Sequence, residues 1–148
     1  MKAEKDFEEF IELLDKHKVK YMIVGAYAFA LYAKPRNTGD LDIYIEKSND
    51  NAESMMQVLT KFGMESLNIS KEDFITEGRV IQIGVSPVRI DIMNVIDGVN
   101  FNDAMSRIVK VKFGNILANF ISKTDLIKNK LSTNRLKDKA DAEELQQS

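Results

Sequence analysis

The sequence predicts an α/β (α+β) protein, a mixed central sheet flanked by helices. Three observations predict it. Short apolar runs of strand character alternate with segments of helical periodicity. Two of the runs, "RVIQIGV" and "VRIDIMNV", meet at Ser86-Pro87 as a hairpin, so the sheet is not wholly parallel. The chain has 148 residues, 44% hydrophobic and 30% charged, enough for one domain with a real core. The expected unit is 1–148, with C-terminal helices over about 122–145 packed on it.

Each element has its own local reason. Phe7, Phe10, Ile11 and Leu14 recur at helical spacing and predict a surface helix over 3–17. "KYMIVG" reads as a buried strand ending at Gly25. "AYAFALYA" has helical composition and stops where Pro35 restricts Lys34. "LDIYIE" is a second strand, and a helix over 51–62 closes with Gly63 as its C′ residue. After the hairpin, "FNDAMSRI" predicts a short helix and "VKVKF" an edge strand with its lysines outward. "ISKTDLIKNKL" opens on Ser122 as N-cap with Asp125 at N3, and a last helix spans 135–145.

Composition narrows the functions. A net charge of −2 exerts no overall pull on nucleic acid. The charge is uneven, however. Five acids face one lysine between Asp40 and Glu53, whereas six basic residues face two acids between Ile121 and Lys139. An acidic middle and a basic tail can meet at one site. With no cysteine there is neither a disulfide framework nor a thiolate zinc site, which fits a cytoplasmic location. The amphipathic, charged start is not a signal peptide, and no run reaches membrane-spanning length. No membrane association is expected.

The chemistry concentrates in "GDLDIYIE". Residues two apart in a strand share a face, so Asp40, Asp42 and Tyr44 point one way and Leu41, Ile43 and Ile45 the other. Like charges this close repel, and one pKa rises unless something positive intervenes. A divalent cation is the natural remedy, because magnesium takes oxygen ligands from one or two carboxylates plus substrate phosphates. "VRIDIM" repeats the alternation and puts Arg89, Asp91 and Met93 on one face. If the two strands are neighbours, Asp91 is a third carboxylate at the same place. Three carboxylates can hold two metals, or one metal and a general base. A D-x-D pair by itself is more readily read as two solvated residues on a polar face; a third carboxylate on an adjacent strand shifts the balance toward a site.

The pair has a context. In "MIVGAYAFALYAKPRNTGDLD" a strand runs into Gly25, a helix begins at once, and Asp40 follows fifteen residues later. Glycine allows close backbone approach there, and free N–H groups at a helix start can bind phosphate. An anion site followed by a metal site is the layout for holding a nucleoside triphosphate. The plainer reading is that Gly25 only lets the helix pack tightly on the strand.

Together, "VGAYAFALYAKPRNTGDLDIYI", "VIQIGVSPVRIDIM" and "ISKTDLIKNKLSTNRLKDKADAEEL" resemble the nucleotidyltransferase superfamily, the DNA polymerase β-like fold. Within it the chain is similar to small bacterial members near the AbiEii-type toxins. The resemblance reaches from about Ile23 to Leu145. It implies that Asp40 and Asp42 are the metal-binding pair, and that Asp91 is the third carboxylate, binding metal or deprotonating the attacking hydroxyl. It implies magnesium, or manganese in its place, as cofactor and a nucleoside triphosphate as donor. Gly25 and Ala26 match the nucleotide-binding turn, and Arg36 and Thr38 match the approach to the aspartates. Lys130 and Arg135 match basic residues of the tail motif that resemble triphosphate contacts; Asp138 to Asp141 lie in the same motif. One departure is clear: the turn is usually Gly-Ser or Gly-Gly, and here it is Gly-Ala, which offers phosphate no hydroxyl.

Several residues keep two readings. Arg36 reaches a phosphate or neutralises the acidic pair. Lys130 points at a triphosphate or lies on a solvated face. Arg135 and Asp138, three apart, also suit an ordinary helix pair. His17, the only histidine, belongs on the outside of the first helix. The leading functional expectation is transfer of a nucleoside monophosphate from the triphosphate to a hydroxyl acceptor: transfer RNA, a protein or a small molecule. A non-catalytic nucleotidyltransferase-like module, one half of a toxin–antitoxin pair with a partner protein, is the alternative. A metal-dependent nuclease is the third.

Overall fold

Phe7, Phe10, Ile11 and Leu14 are fully buried, so one face of the first helix closes over a sheet as its periodicity predicts. We describe the protein from a computed structural model covering residues 1, 3–36, 39–64, 67–85 and 87–148. The first helix is α1, Lys5–Lys16. Strand β1, Tyr21–Val24, leads straight into α2, Gly25–Tyr32, and then β2, Asp40–Ile45. Two helices follow, α3 at Asn49–Lys61 and α4 at Lys71–Ile75. The hairpin is β3, Val80–Val85, with β4, Val88–Met93. Next come α5, Phe101–Met105; β5, Val109–Phe113; and β6, Ile116–Phe120. Helices α6, Lys123–Leu131, and α7, Leu136–Gln146, complete the described chain.

The six strands form one mixed sheet in the order β3-β4-β2-β1-β6-β5. β2 runs parallel to β4, and β1 parallel to β6; the other pairs are antiparallel. Register decides what each face carries. Ile23, Ile43, Ile92 and Ile81 align across four strands, as do Leu41, Ile90 and Ile83 on three. This apolar face is the core. Its residues are almost all below a tenth exposed, and α1 packs toward β4, β6 and α3.

The lysine-bearing edge strand is where the sequence predicts it. β5 lies at the sheet edge with Lys110 and Lys112 exposed. Its partner β6, "ILANF", is an addition to the predicted elements, since Ala118 and Asn119 interrupt its strand-like composition. Tertiary contacts hold it instead: Asn119 Nδ2 donates to the Tyr21 backbone carbonyl at 3.2 Å. Helix α4 is also an addition, although its local signal exists. Asp73 accepts from the Ser70 backbone N–H at 2.8 Å, one half of a capping box. Ser122 caps α6 as predicted, accepting from the Asp125 N–H at 3.1 Å.

Candidate active site

β2 and β4 are adjacent and parallel, and the register sets Asp42 opposite Asp91 and Asp40 opposite Arg89. Alternation therefore puts all four side chains on one face, as the sequence implies. On the other flank Val24 pairs with Asp42, so the β1–α2 turn abuts that carboxylate. Gly25 has φ +68°, and a Cβ there would overlap Asp42 Oδ2. Glycine is needed twice over: for the left-handed backbone and for the space. No side chain caps the start of α2, so its first N–H groups face the site without a competing cap.

The positive charge between the acids comes from within. Arg89 Nη2 lies 2.6 Å from Asp40 Oδ2, while Nε and Nη2 donate to the two oxygens of Asp91 at 3.0 and 3.1 Å. Among the described residues Asp42 has no ion pair. Burial, and then the charges of Asp91 and Asp40, push its carboxyl up to about 6, against a smaller pull from Arg89 and Lys130. Asp40 Oδ1 is buried with no hydrogen-bond partner among the described residues.

These donors suit a hard divalent cation: carboxylate oxygens only, one of them orphaned, beside a turn without a side chain. Asp40 and Asp42 are the pair that could hold one. The three carboxylates do not themselves converge into a metal cluster among the described residues, because the guanidinium stands between Asp40 and Asp91. Sequence reasoning put Arg89 on this face without giving it a role. The signal was there: a cation two residues from Asp91 shares its face.

A second network builds the opposite wall. Lys130 is only 13% exposed, with Nζ 3.2 Å from both Asp138 Oδ1 and Asp141 Oδ2, the latter out of hydrogen-bond alignment. It does not lie on a solvated face. Asp138 also accepts from Thr133 Oγ1 at 2.8 Å and from Arg135 Nε at 2.7 Å. Arg36 donates to Asp141 Oδ1 at 3.0 Å and lies over the Phe29 ring, 3.5 Å from its centroid. Arg36 is thus tied to the tail motif rather than to Asp40. Thr38, the other residue predicted on this approach, lies outside the described residues.

Asp138 holds α6 and α7 together. Burial pushes its carboxyl up, but the hydrogen bonds from Thr133 and Arg135 and the charge of Lys130 outweigh this and hold it below its usual range. Its stabilisation is therefore full above pH ~4 and lost as pH falls through the lower folded value. Asp138→Ala leaves Lys130 half-neutralised where it is largely withdrawn from solvent. It is expected to cost about 2–3 kcal/mol in urea unfolding at pH 7. A cost near zero would show that the network is ornamental.

Part of each wall lines one cleft of about 510 Å³, whose lining takes in Asp42 but not Asp40, Arg89 or Asp91. Gly25, Ala26, Asp42, Arg36, Lys130 and Arg135 line it, so the acidic middle of the sequence and its basic tail do meet. Lys137, exposed and unassigned by sequence reasoning, also lines it. Val80, Met93, Val95 and Ile96 make an uncharged side. A groove of about 360 Å³ lies under the hairpin beside α1, but only Asp6 and Glu9 bring charge to it. The cleft at Asp42 is where carboxylates, lysines and helix-start amides converge.

Comparison with known proteins agrees with this geometry. A family model described as "Nucleotidyltransferase of unknown function (DUF6036)" matches residues 3–147. No curated protein matches the sequence. Among solved structures, the lincosamide antibiotic adenylyltransferase LnuA, bound to lincomycin, is similar at TM-score 0.60 and 16% identity. The alignment covers 97% of this chain and 96% of that one. A putative nucleotidyltransferase, TM1012 from Thermotoga maritima, is similar at TM-score 0.61 and 17% identity, over 95% and 88% of the two chains. At these identities the two structures show a shared fold, and the family match extends across nearly the whole sequence. With the paired aspartates, the glycine turn and the third carboxylate on one sheet face, the chain belongs to this nucleotidyltransferase family.

Proposed function

We propose that this nucleotidyltransferase uses a divalent cation to move a nucleoside monophosphate from a nucleoside triphosphate to a hydroxyl acceptor. The observation that carries the reading is Asp42. It is a part-buried carboxylate, unpaired among the described residues, between the α2 start and Lys130, with Asp91 beside it in register. Asp40 and Asp42 would hold magnesium, or manganese in its place, which when bound neutralises triphosphate charge. The start of α2 and Lys130, Arg135 and Lys137 would orient the phosphates; Ala26 contributes its backbone N–H alone. The acceptor oxygen forms a bond to the α-phosphorus as the bond to the bridging oxygen breaks. Pyrophosphate leaves with that electron pair, and Asp91 takes the acceptor proton. Both Asp91 oxygens are engaged by Arg89, so that pair must open first.

Transfer RNA, a protein and a small molecule remain the acceptor classes. The uncharged side of the cleft supports a small molecule, because an RNA phosphate chain calls for basic side chains along its path. LnuA, a similarly folded antibiotic adenylyltransferase, points the same way. A toxin resembling the AbiEii type is the biological setting we favour, in the cytoplasm. Among the described residues no helix is long and apolar enough to cross a membrane.

The test needs no acceptor. Each of the four triphosphates is titrated by calorimetry, with and without magnesium, beside Asp40→Ala/Asp42→Ala. Magnesium-dependent binding that disappears in the double variant is expected. Nothing tighter than roughly millimolar would instead support a non-catalytic module with a partner protein.

A further inference from the structure

Arg89 does more than offset charge on average. Its guanidinium grips Asp91 with two hydrogen bonds and Asp40 with a third contact, so it joins two of the three carboxylates that the proposed function needs open. A bidentate arginine–carboxylate pair is a geometric lock as well as a charge pair. It leaves the site unfinished, since Asp42 is outside it and Asp40 Oδ1 has no partner among the described residues. Arg89 also has somewhere to go. Its side chain is 32% exposed, and its cross-strand neighbour on the edge strand is Gly84, which offers no side chain to block an outward swing.

We propose that Arg89 is a resident counter-cation: it bridges Asp40 and Asp91 and competes with the divalent cation for Asp40, the ligand the two would share. This rests on the reading of Asp40 and Asp42 as cation ligands. Loading the site then requires Arg89 to release Asp40 and Asp91 and turn over Gly84 toward solvent. The exchange keeps Asp40 beside a positive charge throughout and frees Asp91 only when a cation has arrived. An empty site therefore has its base tied up. Lysine could not do the same work, being a point charge that lacks the fork holding both Asp91 oxygens.

The test is manganese binding by calorimetry, without nucleotide, to wild type, Arg89→Met and Arg89→Lys, together with metal-free melting. Removing a competing unit charge a few ångströms from the ligands should tighten manganese binding about tenfold or more. Arg89→Met should melt lower than wild type without metal, because Asp40, Asp42 and Asp91 are left to repel, and manganese should restore the loss. Arg89→Lys should fall between the two and carries the comparison if Arg89→Met does not fold. Unchanged or weaker manganese binding in the variants, with wild type still binding, overturns the counter-cation and leaves the proposed function standing. Absence of manganese binding in all three proteins overturns both.

Discussion

Asp42→Asn is expected to make the metal-free protein more stable at neutral pH while abolishing nucleotidyl transfer. The stability half follows from the raised carboxyl. Its folded pKa of about 6 stands above the ordinary 3.8, so between those values the folded state holds more protons than the unfolded one. Stability then falls as pH rises through that window, and the full penalty is present above pH ~6. Two units correspond to about 3 kcal/mol, and partial solvent access reduces the expected gain for asparagine to on the order of 2 kcal/mol at pH 7.5. Below pH ~4 the variant and the wild type should unfold alike. The activity half follows from charge: an amide cannot neutralise a cation, and the rate should drop by about a thousandfold or more. Urea unfolding in chelator at pH 4 and pH 7.5, with a transfer assay, checks both. A variant that is less stable at pH 7.5 would mean that Asp42 is paired in solution.

Gly25→Ala should separate the same two properties in the opposite proportion. The left-handed backbone at φ +68° costs an alanine about 1–2 kcal/mol. The added Cβ collides with the Asp42 carboxylate and crowds the Asp42 Cβ; the carboxylate can rotate aside but the Cβ cannot, so the overlap adds to that cost. The same rotation removes Asp42 from its position against the α2 start. Triphosphate binding with magnesium should therefore weaken far more than the fold, by at least tenfold in calorimetry, with melting lowered by several degrees. Full affinity with a lowered melting temperature would reduce Gly25 to a packing residue, the plainer of its two readings.

The contrast shows how function and stability divide at this site. Asp42 is held where its charge is unfavourable, and nothing in the described structure relieves it fully. Asp138, only a short way across the cleft, is surrounded by Thr133, Lys130 and Arg135, and its charge is stabilised. One carboxylate is left in need of a cation and the other is satisfied. Functional sites are where such unfavourable pKa shifts collect.

Local chemistry alone was enough for most of the elements. Ser86 of the predicted hairpin turn lies outside the described residues. The spacing of Phe7, Phe10, Ile11 and Leu14, the Ser122 cap and the D-x-D alternation each act within a few residues. They depend on covalent geometry that any tertiary context must respect. Asp40 and Asp42 sharing a face, and Asp91 sharing one with Arg89, were legible for that reason. What tertiary structure decided was partnership. The parallel pairing of β2 with β4 sets Asp42 opposite Asp91, and the insertion of β6 beside β1 depends on the Tyr21–Asn119 contacts, 98 residues apart. Arg36 joins Asp141 across 105 residues, and Arg89 rather than a solvent-exposed lysine stands between the acids. No local rule supplies these choices. They follow from which apolar faces are buried together, and a strand's charged face receives its neighbours only after its apolar face has chosen them.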